Sequence, residues 1–304
     1  MLPETAARPG WLWGLIGITA FSLTLPLTRV AADDGLSALF IGSGRAVVAA
    51  LLAGAALLLT HQTRPTTAQW RRLAVVAAGV VLGFPLLTSY AMTTAPASHG
   101  AVVIGLLPAA TAAVAVLRAR ERVPASFWLF AALGAGAVLT FTSLQGGGLG
   151  ALHRADVLLL AGVVAAAVGY AEGGLLAREL GAWQTVSWAL VLAAPVMTVL
   201  TAVAVVEGDP RATPVQWLAF AYLSVVSMYL GFFAWYRGLA IGPMAQVSQV
   251  QLVQPVLTIG WAALLLHEGL TWSRVLAGLA VVALAGLAVR ARLDGGRRRA
   301  PRPV

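Results

Sequence analysis

The sequence predicts an all-α integral membrane protein whose ten transmembrane helices form two inverted five-helix repeats. Composition is the first observation behind this prediction, because 60% of the 304 residues are apolar and only 10% are charged. Soluble proteins carry about 25% charged residues, so a chain of this composition belongs in a membrane. Ten long apolar stretches and an internal repeat are the other two observations.

The ten apolar stretches are each long enough to cross a bilayer, for which a helix needs about 20 residues to cover ~30 Å. We expect helices because an alternating strand pattern is absent and because lipid requires backbone hydrogen bonds to be satisfied within the segment. The predicted spans, numbered 1 to 10 in chain order, cover residues 11–31, 38–60, 72–93, 98–117, 125–144, 156–177, 183–205, 215–236, 243–266 and 272–291.

Arginine supplies all the basic residues of the chain, which has a net charge of +9, no lysine and no cysteine. The absence of cysteine excludes disulfides and cysteine metal sites, and the absence of lysine is a hint of a high-GC bacterial genome. With both termini in the cytoplasm, the positive-inside rule leaves only five arginines at the outer side, namely Arg29, Arg45, Arg154, Arg211 and Arg274.

These charges predict a multi-pass protein of the bacterial inner membrane. Residues 294–304 are expected to form a basic cytoplasmic tail that contacts anionic membrane lipids. Nucleic-acid binding is not expected, because the arginines lie between apolar runs and in this tail.

An internal repeat relates the two halves of the chain at an offset of 147 positions. Rare residues coincide at this offset in the pairs Pro96 with Pro243, Pro108 with Pro255 and Glu121 with Glu268. Residues 1–146 therefore form the first five-helix repeat and residues 147–293 the second. Because five is odd, the second repeat enters the membrane from the opposite side, and inverted repeats of this kind are a transporter architecture.

These residues resemble the drug/metabolite transporter superfamily, in its ten-helix branch with two EamA domains. The resemblance covers nearly the whole chain and depends on a proline followed by an apolar run and glutamate in spans 4 and 9, together with Arg45 near the start of span 2. It implies the fold and says little about the substrate. The family's Leu-Gly-Glu is replaced by Ala119-Arg120-Glu121 and Leu266-His267-Glu268, so neither turn has its glycine.

The expected function is secondary transport of a small metabolite such as an amino acid, an amine or a drug-like compound. The protein would be an exporter or exchanger that works by alternating access, driven by protons or by a substrate gradient because a Walker-type motif is absent. We expect no cofactor, no metal and a monomer or homodimer. The alternative is a membrane-embedded enzyme acting on a lipid or lipid-linked substrate, which is not favoured because the four histidines are scattered along the chain, His153 with Asp156 included, instead of clustering with several acidic residues.

Polar residues on span 9 are the first candidates for a transport pathway. Ser248, Gln251, Pro255 and Thr258 share one face of an α-helix, with Gln254 beside them. Buried amides are costly in lipid unless they face a cavity or find partners. These residues are therefore either a polar wall of the pathway or hydrogen-bonding contacts between helices.

Two charged residues inside predicted spans are further candidates. Glu172 in span 6 is a proton-coupling group, the counter-ion of a cationic substrate, the ion-pair partner of Arg178, or a residue near the inner surface. Arg45 binds a substrate carboxylate, acts as a structural or gating residue, or extends its side chain to the outer headgroups. The sequence leaves these alternatives open.

Aromatic and imidazole side chains complete the candidate pathway, which includes Tyr90, His99, Tyr170, Trp235 and Tyr236. Trp235 and Tyr236 could equally belong to the aromatic belt at the membrane surface. His99 is a lone imidazole with no second metal ligand in the sequence.

Three prolines and two glutamates are expected to shape the helices. Pro26, Pro108 and Pro255 are candidate hinges, because proline frees a carbonyl from helical hydrogen bonding. Glu121 and Glu268 are expected to cap the helix that follows each of them or to pair with Arg122 or Arg274.

Overall fold

A computed structural model describes residues 7–119, 124–145, 153–242, 247–269 and 271–297. Within these ranges the chain is helical and has no strand, as predicted. Eight helices there are long and apolar enough to cross a membrane, and two shorter apolar helices, Ala125–Phe141 and Val250–Leu266, fall in spans 5 and 9. The ten helices match the ten predicted spans.

Five spans are continuous helices and five are built from segments. The continuous ones are span 2 (Ala38–Leu59), span 5 (Ala125–Gln145), span 6 (Arg154–Leu180), span 7 (Ala182–Glu207) and span 10 (Trp272–Arg297). The segmented ones are span 1 (Ala7–Ser22, Thr24–Ala32), span 3 (Thr67–Val76, Ala77–Gly83, Phe84–Ala91), span 4 (Ala97–Ile104, Leu107–Ala119), span 8 (Pro214–Tyr222, Leu223–Leu230, Gly231–Ile241) and span 9 (Ser248–Val253, Gln254–Leu266). The helix of span 10 runs into the segment expected as the tail, of which residues 298–304 lie outside the described ranges.

The three candidate hinge prolines stand at or just after segment boundaries, because proline cannot donate to the carbonyl four residues earlier. Pro26 follows the boundary in span 1, and Thr258 of span 9 donates its hydroxyl over 2.9 Å to the Ser22 carbonyl that Pro26 cannot reach. Pro108 follows the boundary in span 4, and Pro255 stands where the 3₁₀ segment of span 9 gives way to α-helix. Hinge motion at these prolines stays a prediction.

The local structure repeats at the same offset of 147 positions as the sequence. Thr66 and Gln69 form a capping box at the start of span 3, and Thr213 and Gln216 form the same box at the start of span 8. Both spans then pass through a π-helical segment. Equivalent residues of the two repeats therefore adopt equivalent local structure.

The helices pack in the pairs that a two-fold relation between the repeats requires. Span 1 packs on span 8, and its equivalent, span 6, packs on span 3. Span 9 packs on span 1 as span 4 packs on span 6, while spans 2 and 7 pack on each other and so do spans 5 and 10. Spans 1 and 6 therefore each contact helices of both repeats, and the space beside them lies between the repeats.

Candidate functional site

A narrow cavity with about 20 Å³ of free space lies between the two repeats. Spans 1, 2 and 3 of the first repeat and spans 6, 8 and 9 of the second form its wall. The lining residues are Phe21, Thr24, Arg45, Val80, Phe84, Pro85, Tyr170, Ser227, Met228, Phe232 and Gln254. The wall is largely apolar with a few polar groups, which is the usual constitution of a small-molecule site.

Arg45 is the one charged residue among the described residues that line this cavity. It lies about 10 Å along span 2 from the helix start, at 1.5 Å per residue, and it is only 1% exposed. Its Nη2 donates to Thr88 Oγ1 over 3.4 Å, while Nε has no hydrogen-bond partner. No carboxylate of the described chain forms an ion pair with it. This burial rules out the alternative in which Arg45 reaches the outer headgroups.

Polar groups from both repeats face each other across the cavity wall. Thr24 Oγ1 of span 1 and Ser227 Oγ of span 8 lie 2.8 Å apart and share a hydrogen bond. Gln254 of span 9 is buried, and its Oε1 has no hydrogen-bond partner. Since buried polar groups are almost always hydrogen-bonded, the unpaired atoms of Arg45 and Gln254 are groups that a ligand or water can satisfy.

Aromatic rings form another part of the cavity wall. The buried ring of Tyr170 has its centroid 6.2 Å from that of Phe21 and 5.9 Å from that of Phe232. Trp235 packs against Tyr170 at 5.8 Å. These are the separations of interacting aromatic pairs, so the cavity offers apolar, planar surface in the same space as a guanidinium.

Span 9 contributes one side chain to this cavity instead of the predicted row. Its segment Ser248–Val253 is a 3₁₀-helix with three residues per turn, so the α-helical spacing assumed for the polar face does not hold there. Gln254 lines the cavity, whereas Gln251 is buried outside the lining with neither amide atom hydrogen-bonded. Thr258 donates to a carbonyl of span 1. The side chain of Ser248 lies outside the described residues.

Three of the predicted aromatic candidates lie outside the cavity lining. Trp235 and Tyr236 are fully buried, so neither belongs to an interfacial belt. Tyr236 donates its hydroxyl to the Gly169 carbonyl over 3.2 Å, and Tyr90 is exposed near the end of span 3. Tyr170 is the predicted aromatic residue that the structure brings into the cavity.

Glu172 lies in an ion-pair cluster at the end of the molecule where span 3 begins and spans 4 and 6 end. Arg72 donates from Nε to one carboxylate oxygen of Glu172, and Arg118 donates from Nε to the other over 3.1 Å. Arg72 also pairs with Glu179. Arg178, the partner considered from the sequence, donates instead to a backbone carbonyl of span 8. One buried carboxylate thus joins spans 3, 4 and 6.

A second buried pair has no signal in the sequence, because its members lie 57 positions apart. His99 Nε2 of span 4 and Asp156 Oδ1 of span 6 are separated by 2.6 Å. Asp156 is buried and also accepts from the backbone N–H of His153 over 2.9 Å. The sequence indicated that His99 is a lone imidazole, but in the structure it pairs with Asp156. No cluster of three His, Asp or Glu residues in the described ranges is placed to hold a metal ion.

Glu268 caps span 4 from the opposite repeat. Its carboxylate accepts from the backbone N–H groups of Ala97 and Ser98 over 2.7 and 3.0 Å, and from the Ser98 hydroxyl. The prediction that Glu268 caps the following helix or pairs with Arg274 is wrong, since its partners lie about 170 positions earlier. Glu121, its equivalent in the first repeat, lies outside the described residues.

Comparisons with known proteins agree with these features. The EamA-like transporter family matches residues 8–143 and 153–290. A Bacillus subtilis (strain 168) protein described as "Uncharacterized transporter YdeK" is 44% identical over 273 residues, covering 90% of this chain and 94% of that protein. A solved structure described as "Crystal structure of protein" covers 97% of this chain and 100% of its own, with a TM-score of 0.65 and 17% identity, a likeness of fold alone.

Proposed function

The chain belongs to the EamA-like transporter family, and from that premise we propose that it is a secondary transporter that exports or exchanges a small metabolite by alternating access. The proposed substrate carries a carboxylate and an apolar or aromatic part, as an amino acid does. It binds in the cavity between the repeats. The protein acts in the bacterial inner membrane with both termini in the cytoplasm.

The unpaired guanidinium of Arg45 carries this proposal. A buried cation with no counter-charge is costly in a membrane protein, and no described carboxylate offsets it. A substrate carboxylate would supply the missing charge, and the planar guanidinium matches two carboxylate oxygens. The rest of the metabolite would lie against Tyr170 and Phe232, with Gln254 offering a free acceptor for an ammonium group.

The inverted repeats support alternating access, because exchanging the arrangements of the two halves opens the same site to either side. In this mechanism the contacts that hold the two ends of span 4 would break alternately, one end at a time. Glu268 joins spans 9 and 4 at the start of span 4, and Glu172 joins spans 3, 4 and 6 near its end. Opening one end while the other stays closed is the movement that transport requires.

We propose that protons act through Glu172. Protonation would remove the charge that pairs with Arg72 and Arg118, and so would release spans 3 and 4 from span 6. Glu172→Gln is therefore expected to abolish flux driven by a pH gradient while membrane insertion stays intact, as measured in proteoliposomes. Undiminished proton-driven flux in this variant would remove Glu172 from the coupling step.

Counterflow of labelled amino acids and amines in proteoliposomes tests the substrate class. We expect exchange of compounds that carry a carboxylate and little exchange of amines that lack one. Arg45→Gln should lower this exchange roughly tenfold or more, because a hydrogen bond to a charged group contributes about 1.5–3 kcal/mol and about 1.4 kcal/mol is a factor of ten.

Thermal unfolding separates lost binding from misfolding in this experiment. Because Arg45 is buried without an ion-pair partner, Arg45→Gln should keep or raise the Tm. Arg211→Gln removes the same charge from a side chain that is 88% exposed, and should leave both exchange and Tm unchanged. Unchanged counterflow in Arg45→Gln, or amine exchange as fast as amino-acid exchange, would contradict the proposed substrate class.

A further inference from the structure

A second opening lies at the end of the molecule that holds the Glu172 ion pairs, apart from the central cavity. It is open to the outside and has about 270 Å³ of free space between spans 3 and 4, both of which pack on span 6. We name it the arginine groove, and the residues that define it are Arg71, Arg72, Arg118, Val75, Val114 and Val168. Neither the proposed substrate site nor the repeat symmetry accounts for it.

Positive charge in the arginine groove exceeds the negative charge that the protein supplies. Glu172 accepts from the Nε atoms of Arg72 and Arg118, and Glu179 accepts from Arg72 Nη1. Arg71 makes no ion pair within the described part of the chain, and Arg118 pairs there through Nε alone. Three guanidinium groups therefore share two carboxylates, and donors remain free for an external anion.

The charged and apolar residues of the groove follow the same order on all three spans. On each span a charged residue lies nearer the helix end at the groove, and a valine lies four residues further into the span. The pairs are Arg71 with Val75, Arg118 with Val114 and Glu172 with Val168. Residues four apart lie on one helix face, about one turn from each other. The groove therefore has a charged rim toward the helix ends and an apolar wall toward the middle of the spans.

We propose that the arginine groove binds an anionic phospholipid. The lipid phosphate would accept from Arg71 and from the terminal nitrogens of Arg118, because guanidinium groups match pairs of phosphate oxygens. The Arg118 side chain is 57% exposed, so a headgroup can reach it. An acyl chain would lie against the three valines. Selectivity over a zwitterionic lipid follows from the excess positive charge, since the arginines repel the choline cation.

Native mass spectrometry of the purified protein with added phosphatidylglycerol, phosphatidylcholine or inorganic phosphate tests this proposal. The wild type is expected to retain phosphatidylglycerol in preference to phosphatidylcholine. Arg71→Gln should lower retention about fivefold, the effect expected for one arginine near a membrane surface. Val75→Trp keeps every charge and fills the exposed apolar wall, so it should also lower retention.

Arg64→Gln is the matched control, because Arg64 is exposed in the loop before span 3 and does not line the groove. It should retain phosphatidylglycerol like the wild type. Equal retention by Arg71→Gln and Arg64→Gln, or equal retention of the two lipids by the wild type, would overturn the proposal. Binding of inorganic phosphate that Val75→Trp leaves unchanged, with no added retention of lipid, would identify a free-anion site and overturn the lipid assignment.

Discussion

At His267, directly after span 9 ends, the backbone takes a left-handed conformation with a φ of +53°. This conformation costs energy for a residue with a Cβ atom and suits glycine. We therefore expect His267→Gly to raise the free energy of unfolding by about 1 kcal/mol, measured by thermal unfolding in detergent. His267→Ala keeps the Cβ atom and should bring no such gain. A glycine variant no more stable than the alanine variant would contradict this account.

Long-range partners of single residues are what the sequence could not reveal. Glu172 and Arg178 lie on the same helix, whereas the two arginines that bind Glu172 come 100 and 54 positions earlier. Helix spacing relates only residues of the same helix, so a pair such as His99 with Asp156 becomes visible only when the spans pack. The sequence did show that position 267 has no glycine, and in the structure His267 itself adopts the left-handed conformation of that turn.

Spans 3 and 6 cross so closely that Gly79 has no room for a side chain. A Cβ atom there would lie 2.4 Å from the Ala165 carbonyl oxygen, so the backbones would have to separate. We expect Gly79→Ala to destabilise the protein by about 1–3 kcal/mol. Gly136 on span 5 has nothing within 4 Å of its corresponding position, so Gly136→Ala should be neutral or stabilise by up to ~1 kcal/mol. Equal unfolding temperatures for the two variants would contradict the close contact.

The elements themselves were largely predictable from the sequence, and their internal geometry was not. Ten apolar stretches of sufficient length predicted the ten spans, and Pro26 predicted an interruption in span 1. The π-helical segments Ala77–Gly83 and Leu223–Leu230 carry no comparable signal, because one wider turn hardly changes the pattern of a helix that is apolar on most sides. The same applies to the 3₁₀ segment of span 9, directly after which Gln254 lines the cavity.

The whole molecule obeys one two-fold relation, which appears in three independent features. Residue pairs coincide at an offset of 147 positions in the sequence, the capping boxes of spans 3 and 8 coincide at that offset, and the helices pack in equivalent pairs. Arg45 and Glu172 break this relation, since Leu192 and Leu25 stand at their equivalent positions. In the proposed mechanism the symmetric scaffold provides the conformational change, and the asymmetric charges Arg45 and Glu172 provide substrate binding and proton coupling.

Equivalent loops of the two repeats are expected to face opposite compartments. Arg64 and Arg211 stand 147 positions apart, before spans 3 and 8, and both are exposed. Because the chain contains no cysteine, Arg64→Cys and Arg211→Cys each introduce a single thiol. With the termini in the cytoplasm, a membrane-impermeant maleimide should label Arg211→Cys in intact cells and Arg64→Cys only in inverted vesicles. Labelling of both variants from one side would contradict the inverted relation. Labelling of Arg64→Cys in intact cells and of Arg211→Cys only in inverted vesicles would preserve the inverted relation but overturn the predicted orientation.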